Sequence, residues 1–470
     1  MKYYIYGGGG NGRVIAWIIE FLNAHKNLQD CYEIIDDSCK ERSLKTFCCA
    51  IKKEQESLIL IASKTYQEVM IKKLKDLGLH NFVNGIAFMG NELNRYFKEC
   101  FPVYRNVAFL LDDVGLKHFG NIDNLLHSRG YNIFYFFFEH KTELQNNFLH
   151  FRENSFMVTE YFLEYFDFCY LMVGTSMYYR FASRVKYFRL LASYDIPFYH
   201  SRYHTIEQIT RHLCEYSAGA HLDFYMAVHN KKSLDQFLLL PGVRKECLLK
   251  VGYPSLDNLV KTYEEYEELN SSVKPDTIIC LSRFNTKGFR IFLLERMIEV
   301  VDYLLGRGYR ICYKVNPHYD YLSQQRIAMR WQKFDNFIFY NKADLSLDEL
   351  VRSITIIDFS ASMLYTYPLI TKKPAIMLAP NKEWFKKEEG IFFDEDNFYD
   401  ERLHIWANNN EEIEANVLAL QNNKEFLKLR KEMIEDYISN ETFAWGGGSS
   451  EKVVEVIDAY IQNFSHMENL

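Results

Sequence analysis

The 470 residues predict an α/β protein of three Rossmann-like units, a small amino-terminal one followed by two larger lobes. Three observations carry this expectation. Short apolar runs recur along the chain and end in Asp, Ser, Asn or His, as strands buried in a parallel sheet do. Helical stretches closed by stops such as Arg129-Gly130 lie between them, the alternation that builds βαβ units. A charged, polar stretch from Glu264 to Lys274, followed by Pro275, reads as a hinge between the lobes. The expected domains are residues 1–100, 101–270 and 271–470.

Composition narrows the class. Hydrophobic content of 48% with 25% charged residues describes a soluble globular chain with ample core. A net charge of −7 weighs against a protein whose whole surface binds nucleic acid, so no nucleic-acid partner is expected. The ten cysteines are scattered and form no Cys-x-x-Cys, which reads as reduced thiols without a zinc site or a disulfide frame. No metal and no cofactor are expected. The chain opens directly on a strand and contains no apolar run of about 18 residues. These features read as a cytoplasmic protein without a signal peptide, soluble or peripheral at the inner face of the membrane.

The first unit begins with a strand, Lys2–Tyr6, and the turn Gly7-Gly8-Gly9-Gly10-Asn11-Gly12. Gly7, Gly9 and Gly12 satisfy G-x-G-x-x-G between a strand and a helix, Arg13 to Ala24, where the glycines let the backbone approach a phosphate. A strand from Tyr32 to Ile35 ends in Asp36-Asp37, near the spacing of a ribose-binding acid. A strand from Ser57 to Ala62, a helix from Thr65 to Leu77 and a short strand from Asn81 to Val83 complete the unit. Nucleotide binding and mere close strand–helix packing stand level as readings of these glycines.

In the second unit, Asn106–Leu111 is a strand, Asn121–Ser128 a helix and Tyr131–Phe138 the next strand. Another runs from Phe168 to Val173. Tyr178 to Leu191 carries Arg180, Arg184, Lys186 and Arg189 among aromatics, read as a half-buried helix with solvated charges in preference to a membrane-surface helix. Ile196–His200 is a short strand, Phe224–Val228 with His229 another, and Leu248–Val251 runs into Gly252-Tyr253-Pro254. A histidine at a strand's carboxyl end, such as His200, is a candidate base.

The third unit starts with Thr277–Leu281, followed by Ser282-Arg283 and a helix from Ile291 to Leu305. Tyr309–Val315 is the next strand, ending in Asn316-Pro317-His318, and Phe337–Tyr340 another. A helix from Leu347 leads to Ile354–Ile357, a buried strand ending at Asp358, with Ser360 and Ser362 at once after it. An apolar stretch, Met363–Ile370, then reaches Lys372-Lys373-Pro374 and the strand Ala375–Ala379. A helix from Val453 to Phe464 follows Gly446-Gly447-Gly448-Ser449-Ser450. Ligands bind outside the carboxyl ends of strands in such sheets, and Asp358, Ser360 and Ser362 stand where a strand gives way to a helix, so the two hydroxyls and the backbone donors suit a phosphate; an ordinary helix cap is the competing reading.

Two lobes, a linker and a long terminal helix suggest a GT-B-type architecture. The amino-terminal unit resembles the first domain of bacterial sugar O-acyltransferases, which opens on a similar Gly-rich turn and an Ile-Asp-Asp strand end; their β-helix repeats do not follow. Across residues 105–465 the motif order resembles the CDP-glycerol glycerophosphotransferase family of teichoic-acid and capsule polymerases. Gly252-Tyr-Pro-Ser-Leu-Asp257 is similar to that family's Gly-Tyr-Pro-Arg-Asn-Asp, Asp358-Phe-Ser-Ala-Ser362 to its Asp-Tyr-Ser-Ser, Lys373-Pro374 to its Lys/Arg-Pro, and Gly448-Ser-Ser-Glu-Lys452 to its Gly-x-Ala-Ser-x-Arg.

The resemblance implies transfer of a polyol phosphate from a CDP-activated donor to a hydroxyl of a glycan or lipid-linked acceptor. His200 is then the base. Asp358, Ser360, Ser362, Gly252, Tyr253 and Arg283 belong to the substrate site, and Arg283 has a solvated-surface reading of equal weight. Two departures stand out: Ser201 follows His200 where the family has glycine, and Asn316-Pro317 replaces its His-Pro, with His318 two positions later. Asn316 keeps a hydrogen bond and never a positive charge. The alternatives are a GT-B glycosyltransferase using a nucleotide sugar in capsule or lipopolysaccharide synthesis, and a non-catalytic nucleotide-binding subunit.

Overall fold

The computed structural model describes residues 1–54, 56–101, 105–111, 119–138, 155–159, 161–166, 170–173, 189–192, 225–238, 245–282, 290–315, 321–342, 345–359, 361, 363–378, 400–444 and 448–467. The chain divides into two units, one of Met1–Ala192, Leu213–Met226 and Val454–Leu470, the other of Ser193–His212 and Ala227–Val453.

The first unit holds two parallel sheets. Strands β1 (Lys2–Tyr6), β2 (Cys31–Ile35), β3 (Leu58–Ile61) and β4 (Phe82–Asn84) lie in the order β2-β1-β3-β4. Helices α1 (Gly10–Lys26), α2 (Leu44–Lys53), α3 (Gln67–Asp76) and α4 (Gly85–Cys100) accompany them. Tyr4, Ile5, Val14, Ile15, Leu60 and Leu93 are fully buried, because β1 and β3 are covered on both faces and read as unbroken apolar runs. The second sheet has β5 (Asn106–Leu111), helix α5 (Ile122–Ser128), β6 (Asn132–Phe138), β7 (Ser155–Val158), β8 (Tyr170–Val173) and β9 (Arg189–Ala192). Within this unit its strands run in the order β9-β8-β5-β6-β7, part of a seven-stranded sheet.

Strand β9 corrects one expectation. Arg189 to Leu191 end a helical stripe in the sequence reading, yet they pair with Leu171 to Val173 of β8 in parallel register. The ladder gives Leu190 and Leu191 sheet partners, and this long-range pairing outweighs the helical spacing of the charges. The rest of that stripe lies outside the described residues.

Aromatic packing joins the two sheets of this unit. Phe97 of α4 meets Phe134 at 5.2 Å and Phe156 at 4.9 Å between ring centroids, and Trp17 of α1 meets Phe156 at 5.6 Å. Such ring pairs add about 0.5–1.5 kcal/mol each to their burial. Asp458 accepts hydrogen bonds from Arg129 and Tyr131, tying the chain's last stretch to the same unit.

The second unit opens at the end of β10 (Tyr225–Val228). Helix α6 (Lys231–Leu238), β11 (Leu248–Lys250) and helix α7 (Pro254–Leu269) follow. Leu256, Val260 and Tyr263 are spaced to one face and buried, so Glu264, Glu265 and Glu268 fall on the outer face. The polar stretch expected as a hinge therefore begins as the last turns of a helix.

A six-stranded parallel sheet forms the body of this unit, in the order β14-β13-β12-β15-β16-β17. Its strands are β12 (Thr277–Ser282), β13 (Arg310–Val315), β14 (Phe337–Tyr340), β15 (Ser353–Asp358), β16 (Ala375–Leu378) and β17 (His404–Ala407). Around it run α8 (Arg290–Gly306), α9 (Tyr321–Ala328), α10 (Leu347–Arg352), α11 (Met363–Thr371), α12 (Asn410–Asn422) and α13 (Lys424–Glu441); α14 (Ser449–Met467) starts in this unit and from Val454 belongs to the first. One face packs α8 and α12 over Met297, Val300, Val301, Val417 and Leu420; the other packs α7, α11 and α13 over Tyr263, Tyr367, Ile434 and Tyr437.

Candidate functional site

The carboxyl ends of β12, β13 and β15 are Ser282, Val315 and Asp358, and all three are buried. Ile357 pairs with Cys280 in one register, and Leu281 pairs with Lys314 in the next. Extending the register puts Asp358, Leu281 and Lys314 in one row on one face of the sheet, the outer two about 10 Å apart across the strands. Asp358 is fully buried and Lys314 is 5% exposed. A carboxylate and an ammonium thus lie at the edge where Rossmann-like sheets take their ligands. The Lys314 ammonium donates to the Lys342 carbonyl at 3.3 Å, just beyond β14. Sequence reasoning missed Lys314 because it stands inside an apolar run; its place two residues before Asn316 was the available signal.

Beneath this edge lies a buried polar triad. The Tyr313 hydroxyl donates to Ser282 Oγ at 2.6 Å, and Ser282 Oγ donates to the Gln324 side-chain oxygen. All three side chains are at most 1% exposed. Burial pushes the Tyr313 hydroxyl well above its ordinary pKa, so it stays a donor. The triad ties β12 and β13 to α9. Ser360, Ser362, Arg283, Asn316 and His318 lie outside the described residues, as does His200 with its expected strand.

The resemblance motif Lys373-Pro374 sits at the opposite edge. Lys373 Nζ donates to the carbonyls of Leu350 at 3.3 Å, Val351 at 3.0 Å and Ser353 at 2.9 Å. These carbonyls close α10 and open β15, so the lysine caps a helix end with the favoured charge. Burial lowers its pKa to about 8. His404 is likewise internal: Nδ1 accepts from the Asp400 N–H at 3.0 Å, and Nε2 faces the Leu364 carbonyl at 3.1 Å. Because a carbonyl only accepts, Nε2 carries the proton and the ring is neutral. Burial lowers its pKa to about 4.

Gly252, Tyr253 and the Gly448-Ser449-Ser450 motif come together in one joint. Gly252 has φ +89°, and a Cβ there would lie 2.2 Å from the Phe443 carbonyl oxygen and 2.5 Å from Ser449 Oγ. Asp257, one turn into α7, accepts the N–H groups of Ser449 at 3.4 Å and Ser450 at 2.6 Å. Those are among the loose donors that open α14, and a carboxylate suits the positive end of a helix. The Gly252 N–H donates to Val228 O at 3.2 Å, and the Phe443 N–H to His229 O at 2.9 Å. Tyr253 packs against the same apolar cluster as Leu281 and Ala361.

In the first unit, a Cβ on Gly12 would fall 1.9 Å from Gly7 O, so α1 packs on the turn as only glycine allows. A Cβ on Gly9 would meet open space. Asp36 is half-buried beside Gly8 and takes hydrogen bonds from the N–H and hydroxyl of Ser38, which hold its pKa below the ordinary value. Burial pushes Asp37 up, but Lys73 and Tyr6, each at 2.7 Å, and the Leu44 N–H outweigh it and leave the pKa lowered. Asp37 is committed to the fold; Asp36 faces the turn. Among the described residues, no group of three or more His, Cys, Asp and Glu side chains is placed to hold a metal ion, and no helix is long and apolar enough to cross a membrane.

Parallel sheets flanked by helices, with polar residues at their carboxyl edges, define an α/β protein of the GT-B class. Among solved structures, the chain is similar to the wall teichoic acid polymerase TagF, with a TM-score of 0.54 at 13% identity over 86% of this chain and 98% of that one. A second TagF structure gives 0.52 at 13% identity, over 85% and 98%. The UDP complex of Anabaena Alr3699/HepE stands at 0.46 with 8% identity, over 76% of this chain and 100% of that one. No family model matches the chain, and no curated protein matches it in sequence.

Proposed function

We propose that the chain is a transferase that takes a glycerol phosphate-like group from a CDP-activated polyol and places it on a hydroxyl of a cell-surface glycan or teichoic-acid-like polymer. The observation that supports it most is the carboxyl edge around Asp358. There the strand end that resembles the family's Asp-Tyr-Ser-Ser element shares a sheet row with the buried Lys314. Tyr253 of the Gly-Tyr-Pro element packs on the adjoining cluster. The likeness to TagF in fold agrees with this reading.

In this reading residues 101–270 bind the acceptor and 271–470 the donor, with 1–100 as a nucleotide-binding-type domain. The acceptor hydroxyl attacks the β-phosphorus, and CMP leaves. Charge builds on the phosphoryl oxygens, so fixed donors and cations lower the barrier more than covalent chemistry does. Ser360, Ser362 and the helix N-terminus after Asp358 hold the pyrophosphate side, with Lys314 and Arg283 as the cations. Lys314 brings the positive charge that Asn316 lacks.

A second reading is a glycosyltransferase of the same fold that uses a nucleotide sugar, and Asn316 in place of the family's histidine supports a third, a non-catalytic nucleotide-binding subunit. Incubating the purified protein with CDP-glycerol or with UDP-sugars decides between them. Release of CMP is expected. Consumption of a UDP-sugar while CDP-glycerol stays intact overturns the first reading, and consumption of neither favours the non-catalytic one.

A further inference from the structure

Helix α9 carries apolar side chains on the side that its packing leaves in water. We propose that this outward face docks the protein on an anionic phospholipid surface, an inference that goes beyond the transferase reading and does not rest on it. Leu322 is 63% exposed and Met329 is 59% exposed. Arg326 is one helical turn from each, so the three form a single stripe. Arg330 and Lys333, in and just past the 3-10 turn Met329–Trp331 that ends the helix, are exposed beside it. From Tyr321 to Lys333 the chain has three cations and no acid, against a net charge of −7 overall. The next acid along the chain is Asp335. Arg330 donates to Asp302 of α8 at 3.3 Å. Among the described residues, Arg326 and Lys333 have no carboxylate partner.

The inward side of the same helix fixes its orientation. Gln324, Ala328 and Trp331 are at most 1% exposed. Gln324 accepts from Ser282, and Trp331 Nε1 donates to Asp302 at 2.6 Å. The helix therefore cannot roll to bury Leu322 and Met329. Two apolar side chains are too small a patch for a stable protein interface, which takes about 800 Å² from each partner. A nucleic acid would use the cations and leave Leu322 and Met329 in water. A bilayer uses both, because apolar side chains enter the boundary of headgroups and acyl chains while cations meet the lipid phosphates. Each cation near an anionic surface strengthens binding about fivefold. Ser282 ends β12, so its bond to Gln324 ties this helix to the carboxyl edge of the sheet. Docking then holds that edge about 10 Å, one helix diameter, from the headgroups, a distance suited to a lipid-linked acceptor.

The test is co-sedimentation of the full chain with phosphatidylcholine vesicles, with and without about 30% phosphatidylglycerol. One variant combines Leu322→Ser with Met329→Ser, the other Arg326→Gln with Lys333→Gln. Circular dichroism and the melting temperature check folding, which these exposed positions are expected to spare. Wild type is expected to bind the anionic vesicles and to leave the neutral ones. Loss of the two cations should weaken binding about 25-fold, and loss of the two apolar side chains about tenfold or more. A wild type that stays in solution beside anionic vesicles overturns the inference. Folded variants that both bind within about threefold of wild type overturn it too, because another surface then makes the contact. Dimerisation that the Leu322→Ser, Met329→Ser variant abolishes, without vesicle binding, overturns it in favour of a second copy of the chain. Vesicle binding lost in both variants, by a protein inert toward every donor, upholds this inference and removes only the transferase reading.

Discussion

Gly252→Ala separates steric crowding from backbone strain, because the second unit supplies its own control. Gly252 and Gly308 have nearly the same backbone angle, φ +89° and +86°, but a Cβ at Gly308 would meet nothing within 4 Å. Both substitutions pay about 1–2 kcal/mol for an L-residue in the left-handed region. Both also gain up to about 1 kcal/mol from a stiffer unfolded chain. These terms cancel in the comparison. What remains at Gly252 is a methyl group 2.2 Å from the Phe443 carbonyl oxygen. Ser449 can turn its hydroxyl aside, but Phe443 is held by its bond to His229 O. Moving it overpacks the joint or breaks backbone hydrogen bonds, each costing about 1–3 kcal/mol. Gly252→Ala is therefore expected to lose about 2–3 kcal/mol more than Gly308→Ala. Native-state hydrogen exchange on α7 and β12 amides reads this within the second unit alone. A difference below about 0.5 kcal/mol refutes the crowding argument.

Two further predictions concern buried basic side chains and their partners. His404 has a folded pKa of about 4 against an ordinary value near 6.5, so between these values the unfolded chain binds more protons. Stability is then full above about pH 6.5 and falls by roughly 3 kcal/mol as pH drops to 4, a slope that His404→Gln should flatten in urea titrations at several pH values. Lys373→Met strips three carbonyls of their donor and should cost about 2–3 kcal/mol while leaving donor KM unchanged. A tenfold rise in KM at unchanged melting temperature would place Lys373 in the ligand site instead.

Several strands were legible where an apolar run ended at a polar residue: Asn106–Leu111 and Phe337–Tyr340 match the structure to the residue, while the short β7 and β17 went unread. Burial on both faces of a parallel sheet writes that pattern directly into the chain. Helices α2, α4, α12 and α13 left a weaker trace, since one narrow face suffices to bury them; α13, for example, encloses only Arg430, Ile434, Tyr437 and Ile438. Motif positions such as Gly252 and Asp358 were legible as strand ends. Their partners were not. Asp257 caps a helix that starts 192 residues later, and no local pattern encodes which carboxylate a distant helix will recruit. Lys314 was hidden for the opposite reason, as a charge within a run whose neighbours all point to burial.

The segment from Ser353 to Pro374 shows why motif order alone misplaces chemistry. In sequence its serines and its lysines flank one apolar helix, and spacing along the chain does not say which of them share an edge of the sheet. In the fold β15 carries the chain about 16 Å from Ser353 to Asp358, and α11 brings it back. Lys373 bonds to Ser353 O, so it marks the amino edge of the sheet, while Asp358 marks the carboxyl edge. A cation at the amino edge neutralises helix-end carbonyls and does nothing for a ligand at the other. The positive charge for a donor must come from residues that end strands rather than begin them. Lys314 meets that condition through its register with Leu281.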